Sequence, residues 1–215
     1  MSTTHHPSEE TLAAFMDGTL DEGRRIVIAA HMELCASCRR LTQAIDALGG
    51  AQLEQLPAST LHAAALEGTL ARLDAPLPTR RPAPLADHTG LPMQLRALAP
   101  YQLGPWRWIG PGVHWRSVAL PDETSGSRLF LLKAAPGTHL PHHAHEGTEL
   151  TVILKGAFNH SGARFGVGDC DDADDTVEHL PVVGEEEECI CLVAMHGRIR
   201  MLSLLGRLIQ PFVRM

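Results

Sequence analysis

The chain has 215 residues, of which 44% are hydrophobic and 20% charged, and its formal net charge is −7. It contains no apolar run of about 18 residues that would predict a membrane span, and its acidic balance with two lysines argues against direct binding to nucleic acid. The polar start, MSTTHHPSEE, is unlike a signal peptide, so we expect a cytoplasmic protein whose five cysteines are thiols or metal ligands.

Three helices are predicted within the first 50 residues. Ser8 can cap the first helix, whose opening turn carries two glutamates that suit a helix N-terminus. The second helix begins near Asp21 and reaches His31. The third covers residues 37–48, where a Gly-Gly pair is expected to end it.

A cluster of metal-binding residue types lies in this helical region, in the spacing His31-x3-Cys35-x2-Cys38. Offsets of four and three residues place side chains on one helical face, and thiolates together with imidazole favour zinc. A closed structural zinc site takes four ligands, and the candidates for the fourth are the adjacent His5 and His6. The alternative is a pair of reduced, buried cysteines beside a surface histidine.

An upstream histidine followed by His-x3-Cys-x2-Cys in a short helical domain resembles the zinc-binding anti-sigma domain. The resemblance implies a domain over residues 1–74 that sequesters an alternative sigma factor of bacterial transcription. It also implies a zinc site with the ligands His6, His31, Cys35 and Cys38, in which His5 remains the alternative to His6.

A fourth helix is predicted over residues 59–74, with Ser59 or Thr60 as its cap and leucines along one face. Two uses of that face stay open: packing on the three preceding helices, or insertion against a partner. Residues 75–92 follow, and their five prolines predict a semi-rigid linker that ends the helical domain.

From Trp106 onward the hydrophobic period becomes two, and glycine and proline recur at short intervals. Such short strands predict a β-sandwich or jelly-roll barrel over residues 93–215. Within it, His143 and His145 lie one residue apart, so a strand would place both on one face. Glu149 could join them across a turn, and two imidazoles with a carboxylate suit zinc, iron, nickel or manganese.

The spacing Gly137-x5-His143-x-His145-x3-Glu149-x6-Gly156 resembles the first motif of the cupin superfamily. The second cupin motif is kept in part: Gly168 is followed by a histidine at the family's distance, whereas the motif's proline, second glycine and asparagine are replaced. The resemblance implies a jelly-roll β-barrel that holds zinc, ahead of iron, manganese or nickel. The implied ligands are His143, His145, Glu149 and His179.

The sequence Cys189-Ile190-Cys191 places two sulfurs on one face of a predicted strand. One interpretation treats both cysteines as small hydrophobic residues of the barrel wall, because free cysteine is commonly buried. The other treats them as an oxidisable pair that faces the metal cavity.

Taken together, the helical zinc motif, the linker and the cupin are similar to the ChrR-type anti-sigma factors over nearly the whole chain, the closing Gln210-Pro211-Phe212 included. The resemblance implies a non-enzymatic regulator that inhibits an extracytoplasmic-function sigma factor and releases it when the cupin senses singlet oxygen or organic peroxide. It implies no direct contact with nucleic acid or membrane, and it allows weak self-association through the cupin. The alternative is an iron-dependent cupin dioxygenase with a helical regulatory domain.

Overall fold

The computed structural model describes residues 3–73, 91–93, 95–121, 126–174 and 178–201. Side chains are described for all of these except residues 143–145, 178–179 and 198–201. Most of the predicted linker and the closing Gln210-Pro211-Phe212 therefore lie outside the described residues.

Helices fill the first part of the chain and strands fill the second, as predicted. The helices are α1 (Glu9–Met16), α2 (Glu22–Leu34), α3 (Ala36–Glu54) and α4 (Ala65–Leu73), followed by a short 3-10 helix at Arg96–Leu98. The strands are β1 (Arg107–Gly110), β2 (Val113–Val118), β3 (Ser127–Ala134), β4 (His143–Lys155), β5 (Phe158–His160), β6 (Ala163–Phe165), β7 (Cys170–Ala173), β8 (Glu178–His179), β9 (Val182–Val183) and β10 (Cys189–Met201).

Side-chain caps fix where the first two helices begin. The Ser8 hydroxyl accepts a hydrogen bond from the Thr11 amide, and the Asp21 carboxylate accepts one from the Arg24 amide. Each cap satisfies an amide that has no partner within the helix. The predicted starts of α1 and α2 are therefore confirmed.

Two predicted helix boundaries are wrong. Helix α3 runs through Gly49 and Gly50 to Glu54, because neither glycine adopts a positive φ there and a helical glycine costs only about 1 kcal/mol. Helix α4 begins at Ala65, so neither Ser59 nor Thr60 caps it.

The strands form two antiparallel sheets. The larger sheet has the order β1-β2-β3-β10-β4-β7, with β8 also pairing with β4, and the smaller has the order β6-β5-β9. Strand β4 is continuous over 13 residues, so the turn expected between His145 and Glu149 is absent. The predicted architecture, a helical part followed by a cupin-like β-domain, is confirmed.

Alternating residues of β4 and β10 separate two hydrophobic cores. Ile153 and Val193 belong to the core shared with the smaller sheet, whereas Val152 and Leu192 belong to the core shared with α2. A strand that is covered on both faces reads as a continuous apolar run. This double burial explains the unbroken apolar stretch that follows Glu149.

Helix α2 packs against the large sheet, where it contacts β3, β4 and β10. Its apolar residues are buried around most of its circumference, with Ile26, Val27 and Ile28 at most 3% exposed. Polar contacts add to this packing: the Glu33 carboxylate accepts the amides of Arg96 and Ala97 at 3.0 and 2.7 Å. The helical part and the β-domain therefore share one core.

No helix among the described residues is long and apolar enough to cross a membrane.

Candidate metal centre

Four side chains from the first 38 residues converge on one point. One donor atom from each of His6, His31, Cys35 and Cys38 lies within 4.8 Å of the other three. His31 Nε2 is 3.3 Å from Cys38 Sγ, and His6 Nδ1 is 3.4 Å from both sulfurs. Among the described residues, this is the group with the arrangement of a metal site.

The junction between α2 and α3 creates this convergence. His31 lies in the last turn of α2, and Cys35 has extended backbone angles that end α2 and begin α3. Cys38 lies in the first turn of α3, and its amide donates to Cys35 Sγ at 3.4 Å. The three residues meet as predicted, although they do so across a helix junction and not on one helical face.

The structure places His6, and not His5, in the cluster. The His5 ring stacks on Phe165 with ring centroids 4.2 Å apart, and its Nδ1 lies 3.4 Å from Asp169 Oδ2. The two neighbouring histidines thus face different parts of the molecule, and His5 belongs to the contact with the β-domain.

Burial and hydrogen bonding together set the pKa values of the cluster. It lowers the pKa of His31, which is fully buried, and so keeps the imidazole neutral. Burial, followed by hydrogen bonding to Cys35, raises the pKa of Cys38 to about 12. For Cys35, burial acts in the same direction but is outweighed by hydrogen bonds from Cys38 and Thr3, so its pKa is lowered.

The donor set fits zinc. Tetrahedral zinc with bonds of about 2.3 Å to sulfur and about 2.0 Å to nitrogen separates neighbouring N and S ligands by about 3.5 Å, close to the distances observed. The His31 ring also has a suitable orientation, because its Nδ1 donates to the carbonyl oxygen of Gly168 at 2.8 Å. That bond fixes the tautomer and leaves the Nε2 lone pair for a metal.

Sequence reasoning missed that a turn of the β-domain, residues 166–170, forms one wall of this cluster. Asp169 Oδ1 accepts the backbone amides of Thr4 and His5, next to His6. Gly168 was assigned to a β-domain motif, but no feature of the sequence connects Gly168 or its neighbour Asp169 with residues more than 160 positions earlier.

The second predicted ligand set lies in the β-domain, where the structure describes the backbone. His143, His145 and Glu149 lie at odd positions of the continuous strand β4, and His143 is the register partner of His179. The side chains of the three histidines lie outside the described residues. The register brings the backbones of the first and last predicted ligands together across neighbouring strands.

Glu149, whose side chain is described, lies in an unusual electrostatic environment. Burial, and then the nearby charge of Asp171, raise the pKa of its carboxyl group to about 7. Thr151 Oγ1 also donates to it at 3.3 Å. A carboxylate held in such surroundings gains from a nearby cation, which compensates for its lost hydration.

Cys189 and Cys191 are both buried free thiols in the core between the two sheets. Hydrogen bonding to Cys189, and then burial, raise the pKa of Cys191 well above its usual value. The interpretation of both cysteines as small hydrophobic residues of the barrel wall therefore fits the structure. The pair also lies on the Glu149 side of the sheet, since Cys191 is the register partner of Ile153, which shares its core and lies on the same face of β4 as Glu149.

Comparisons with known proteins cover both parts of the chain. The ChrR cupin-like domain family matches residues 96–198, and a zinc-finger family matches residues 8–39. The anti-sigma-E factor ChrR of Cereibacter sphaeroides is 40% identical over 224 residues, which cover 100% of both chains. The crystal structure of Rhodobacter sphaeroides SigE in complex with the anti-sigma ChrR matches with a TM-score of 0.72 and 38% identity, over 90% of this chain and 99% of that chain.

Proposed function

The chain belongs to the ChrR family of anti-sigma factors, and we propose that it binds an extracytoplasmic-function sigma factor through its helical part and so withholds that factor from RNA polymerase. Its full-length relative is an anti-sigma factor. The chain is accordingly a regulator and not the dioxygenase considered from the ligand set alone. The partner of the solved relative, SigE, identifies the class of partner to test.

The observation that carries this proposal is an exposed apolar surface on α3 and α4. On α3, Leu41, Ile45 and Leu48 are exposed at helical spacing, and on α4 the same spacing holds for Leu66, Leu70 and Leu73. We call these six residues the leucine face. Helix α4 buries none of its residues, so the alternative that it packs on its own three helices is not what the described residues support.

Exposure on this scale favours a partner. Each of the two helices carries an exposed apolar stripe at helical spacing, and amphipathic helices commonly place such a stripe against a protein groove. Leu66 and Leu73 are 71% and 77% exposed. Burying a leucine contributes about 1.5–3 kcal/mol when complete, so each contributes about 1–2 kcal/mol on docking.

The test is to measure binding of the cognate sigma factor by Leu66→Ala and Leu70→Ala variants. Leu66→Ala should weaken binding by about 5- to 30-fold and Leu70→Ala, which is 52% exposed, by about 4- to 15-fold, and folding should be unchanged because both side chains are exposed. Leu180→Ala is a matched control, since Leu180 on the β-domain is 49% exposed against 52% for Leu70. If the combined Leu66→Ala/Leu70→Ala variant binds the sigma factor with the affinity of the control, the leucine face is not the docking surface.

The helical cluster of two histidines and two cysteines is proposed to hold structural zinc. The donor separations and the buried, neutral His31 support this assignment. Zinc here would tie residue 6 to the α2–α3 junction and so fix where α3 leaves α2. Half of the leucine face lies on α3, and zinc would therefore orient the docking surface.

We further propose that the β-domain is the sensor and binds a metal through His143, His145, Glu149 and His179. The strand register and the high pKa of Glu149 support this assignment. Zinc is preferred to iron, manganese or nickel as the occupant, and singlet oxygen or organic peroxide is the proposed signal. Oxidation of a ligand or of the Cys189/Cys191 pair would then loosen the β-domain and release the sigma factor. Loss of zinc from the helical cluster is the second route.

A double variant separates sensing from binding. His143→Ala combined with Glu149→Ala should leave sigma binding intact and abolish release when the complex is exposed to a photosensitiser and light or to an organic peroxide. The Cys189→Ala/Cys191→Ala variant, examined in the same assay, tests the thiols separately. A normal response from the ligand variant would show that the β-domain metal is not the sensor.

A further inference from the structure

Asp169 of the β-domain fastens the N-terminal segment that carries the zinc ligand His6. Its Oδ1 accepts the amides of Thr4 and His5 at 2.6 and 3.0 Å, and its Oδ2 accepts the Thr4 hydroxyl at 3.1 Å. The Asp169 side chain is almost fully buried, and Oδ2 also accepts the Gly166 amide at 2.8 Å, which holds the carboxylate in place. These bonds lower the pKa of Asp169 despite the opposing effect of burial, so the group is ionised.

Two further bonds from the same turn reach the ligand His31 and the residue before the ligand His6. The carbonyl oxygen of Gly168 accepts His31 Nδ1, and the Cys170 amide donates to the carbonyl oxygen of His5 at 3.1 Å. The approach is close: a Cβ at Gly168 would lie 2.7 Å from Thr3 Cγ2, and its φ of +92° disfavours any other residue. The turn thus contacts the segments on both sides of the zinc cluster.

This arrangement places on the β-domain the hydrogen-bond partner of one ligand, His31, and the anchor of the two residues that precede another, His6. Groups that hydrogen-bond a metal ligand from behind fix its orientation, and their loss typically weakens metal binding by about 10- to 100-fold. His31 is oriented through Gly168, and His6 follows directly after the two residues that Asp169 holds. Both supports come from one five-residue turn of the β-domain.

We propose that Asp169 is a positioning residue of the helical zinc site, and that docking of the β-domain turn at residues 166–170 therefore sets the zinc affinity of the anti-sigma domain. The inference rests on the proposed zinc occupancy of the helical cluster. Because coupling between two equilibria is reciprocal, zinc in the cluster also strengthens docking of the two domains. A disturbance in the β-domain thereby reaches the helical zinc without any change to its four ligands.

The test is cobalt titration of the metal-free, full-length protein, followed by displacement with zinc. Cobalt bound by thiolates gives a charge-transfer band, and the ligands proposed for the β-domain include no sulfur, so the band reports the helical cluster alone. The variants are Asp169→Ala, Asp169→Asn and the control Glu187→Gln. The control removes one negative charge from an exposed residue paired with Lys155.

Asp169→Ala should weaken cobalt and zinc binding by about 10- to 100-fold relative to Glu187→Gln. Asp169→Asn should fall between them, because its oxygen can still accept the amides of Thr4 and His5. Tryptophan fluorescence establishes that the β-domain is folded in each variant, and should Asp169→Ala not fold, Asp169→Asn carries the comparison.

Metal affinity within twofold of the control in a folded Asp169 variant would overturn the proposal. Absence of the charge-transfer band from the unsubstituted protein would refute the zinc assignment itself, and the proposal with it. Hydrogen exchange gives an independent measurement: zinc should slow exchange of the Thr4, His5 and Cys170 amides in the control and should not slow it in Asp169→Ala. Equal slowing in both variants would also overturn the proposal.

Discussion

Replacing Ile28 by alanine measures how tightly the two parts of the chain are joined. Ile28 lies on α2 and is 0% exposed, within the core that α2 shares with the large sheet. The substitution removes three carbons, worth about 0.8 kcal/mol each, and leaves a cavity that adds to the loss. We expect the free energy of unfolding to fall by about 3–4 kcal/mol, within the range of such truncations.

The assay is urea denaturation followed by two probes. All three tryptophans lie in the β-domain, at positions 106, 108 and 115, whereas far-ultraviolet circular dichroism is dominated by the helices. Because one core joins both parts, the two transitions should shift together, by about 1–2 M urea for a slope of about 2–3 kcal/mol per M. The matched control is Ile45→Ala on α3, where the side chain is 40% exposed, and it should lower the free energy of unfolding by only about 1 kcal/mol.

A shift confined to the circular dichroism transition would refute this reasoning. It would mean that the helical part unfolds independently and that the core shared by α2 and the sheet contributes little. Equal losses from Ile28→Ala and Ile45→Ala would contradict the assignment of Ile28 to the core.

Two other predictions concern ionisation and backbone geometry. Because the pKa of Cys38 is raised to about 12, zinc must displace the proton of this thiol at neutral pH. The affinity for zinc should therefore rise about tenfold per pH unit between about pH 6 and 8 for that proton alone. Chelator competition measures this affinity, and a value independent of pH would contradict the prediction. Gly197→Ala should destabilise the β-domain by about 3 kcal/mol or more, since a Cβ there would lie 2.0 Å from the Glu146 carbonyl oxygen and φ is +96°. A thermal transition unchanged from that of the unsubstituted protein would contradict the second prediction.

Much of the fold could be predicted because its signals are local. Ser8 and Asp21 have the cap chemistry that begins a helix, and the change of hydrophobic period near Trp106 separates helices from strands. The end of α3 was missed because Gly49-Gly50 resembles a stop signal, whereas glycine in a helix only weakens it. Local patterns of this kind give the type of an element more securely than its boundary.

Part of the candidate metal centre could be predicted from the sequence for the same reason. The spacing of His31, Cys35 and Cys38 is local, and the family resemblance favoured His6. The choice between His5 and His6 depends on Asp169 and Phe165, which lie on the β-domain and hold His5. Contacts across more than 160 residues follow from tertiary packing, and no pattern within one segment specifies them.

The bond between the His5 amide and Asp169, which spans 164 positions, has a consequence for how the protein is made. A ribosome adds about 5–20 residues per second, so the carboxylate that fastens the N-terminal segment is synthesised about 8–33 s after the amide it accepts. During that interval the first helices exist without the turn that supports His31 and the segment before His6. The start of the chain therefore reaches its final structure only after residue 169 has been translated, although it is the part of the protein that is made first.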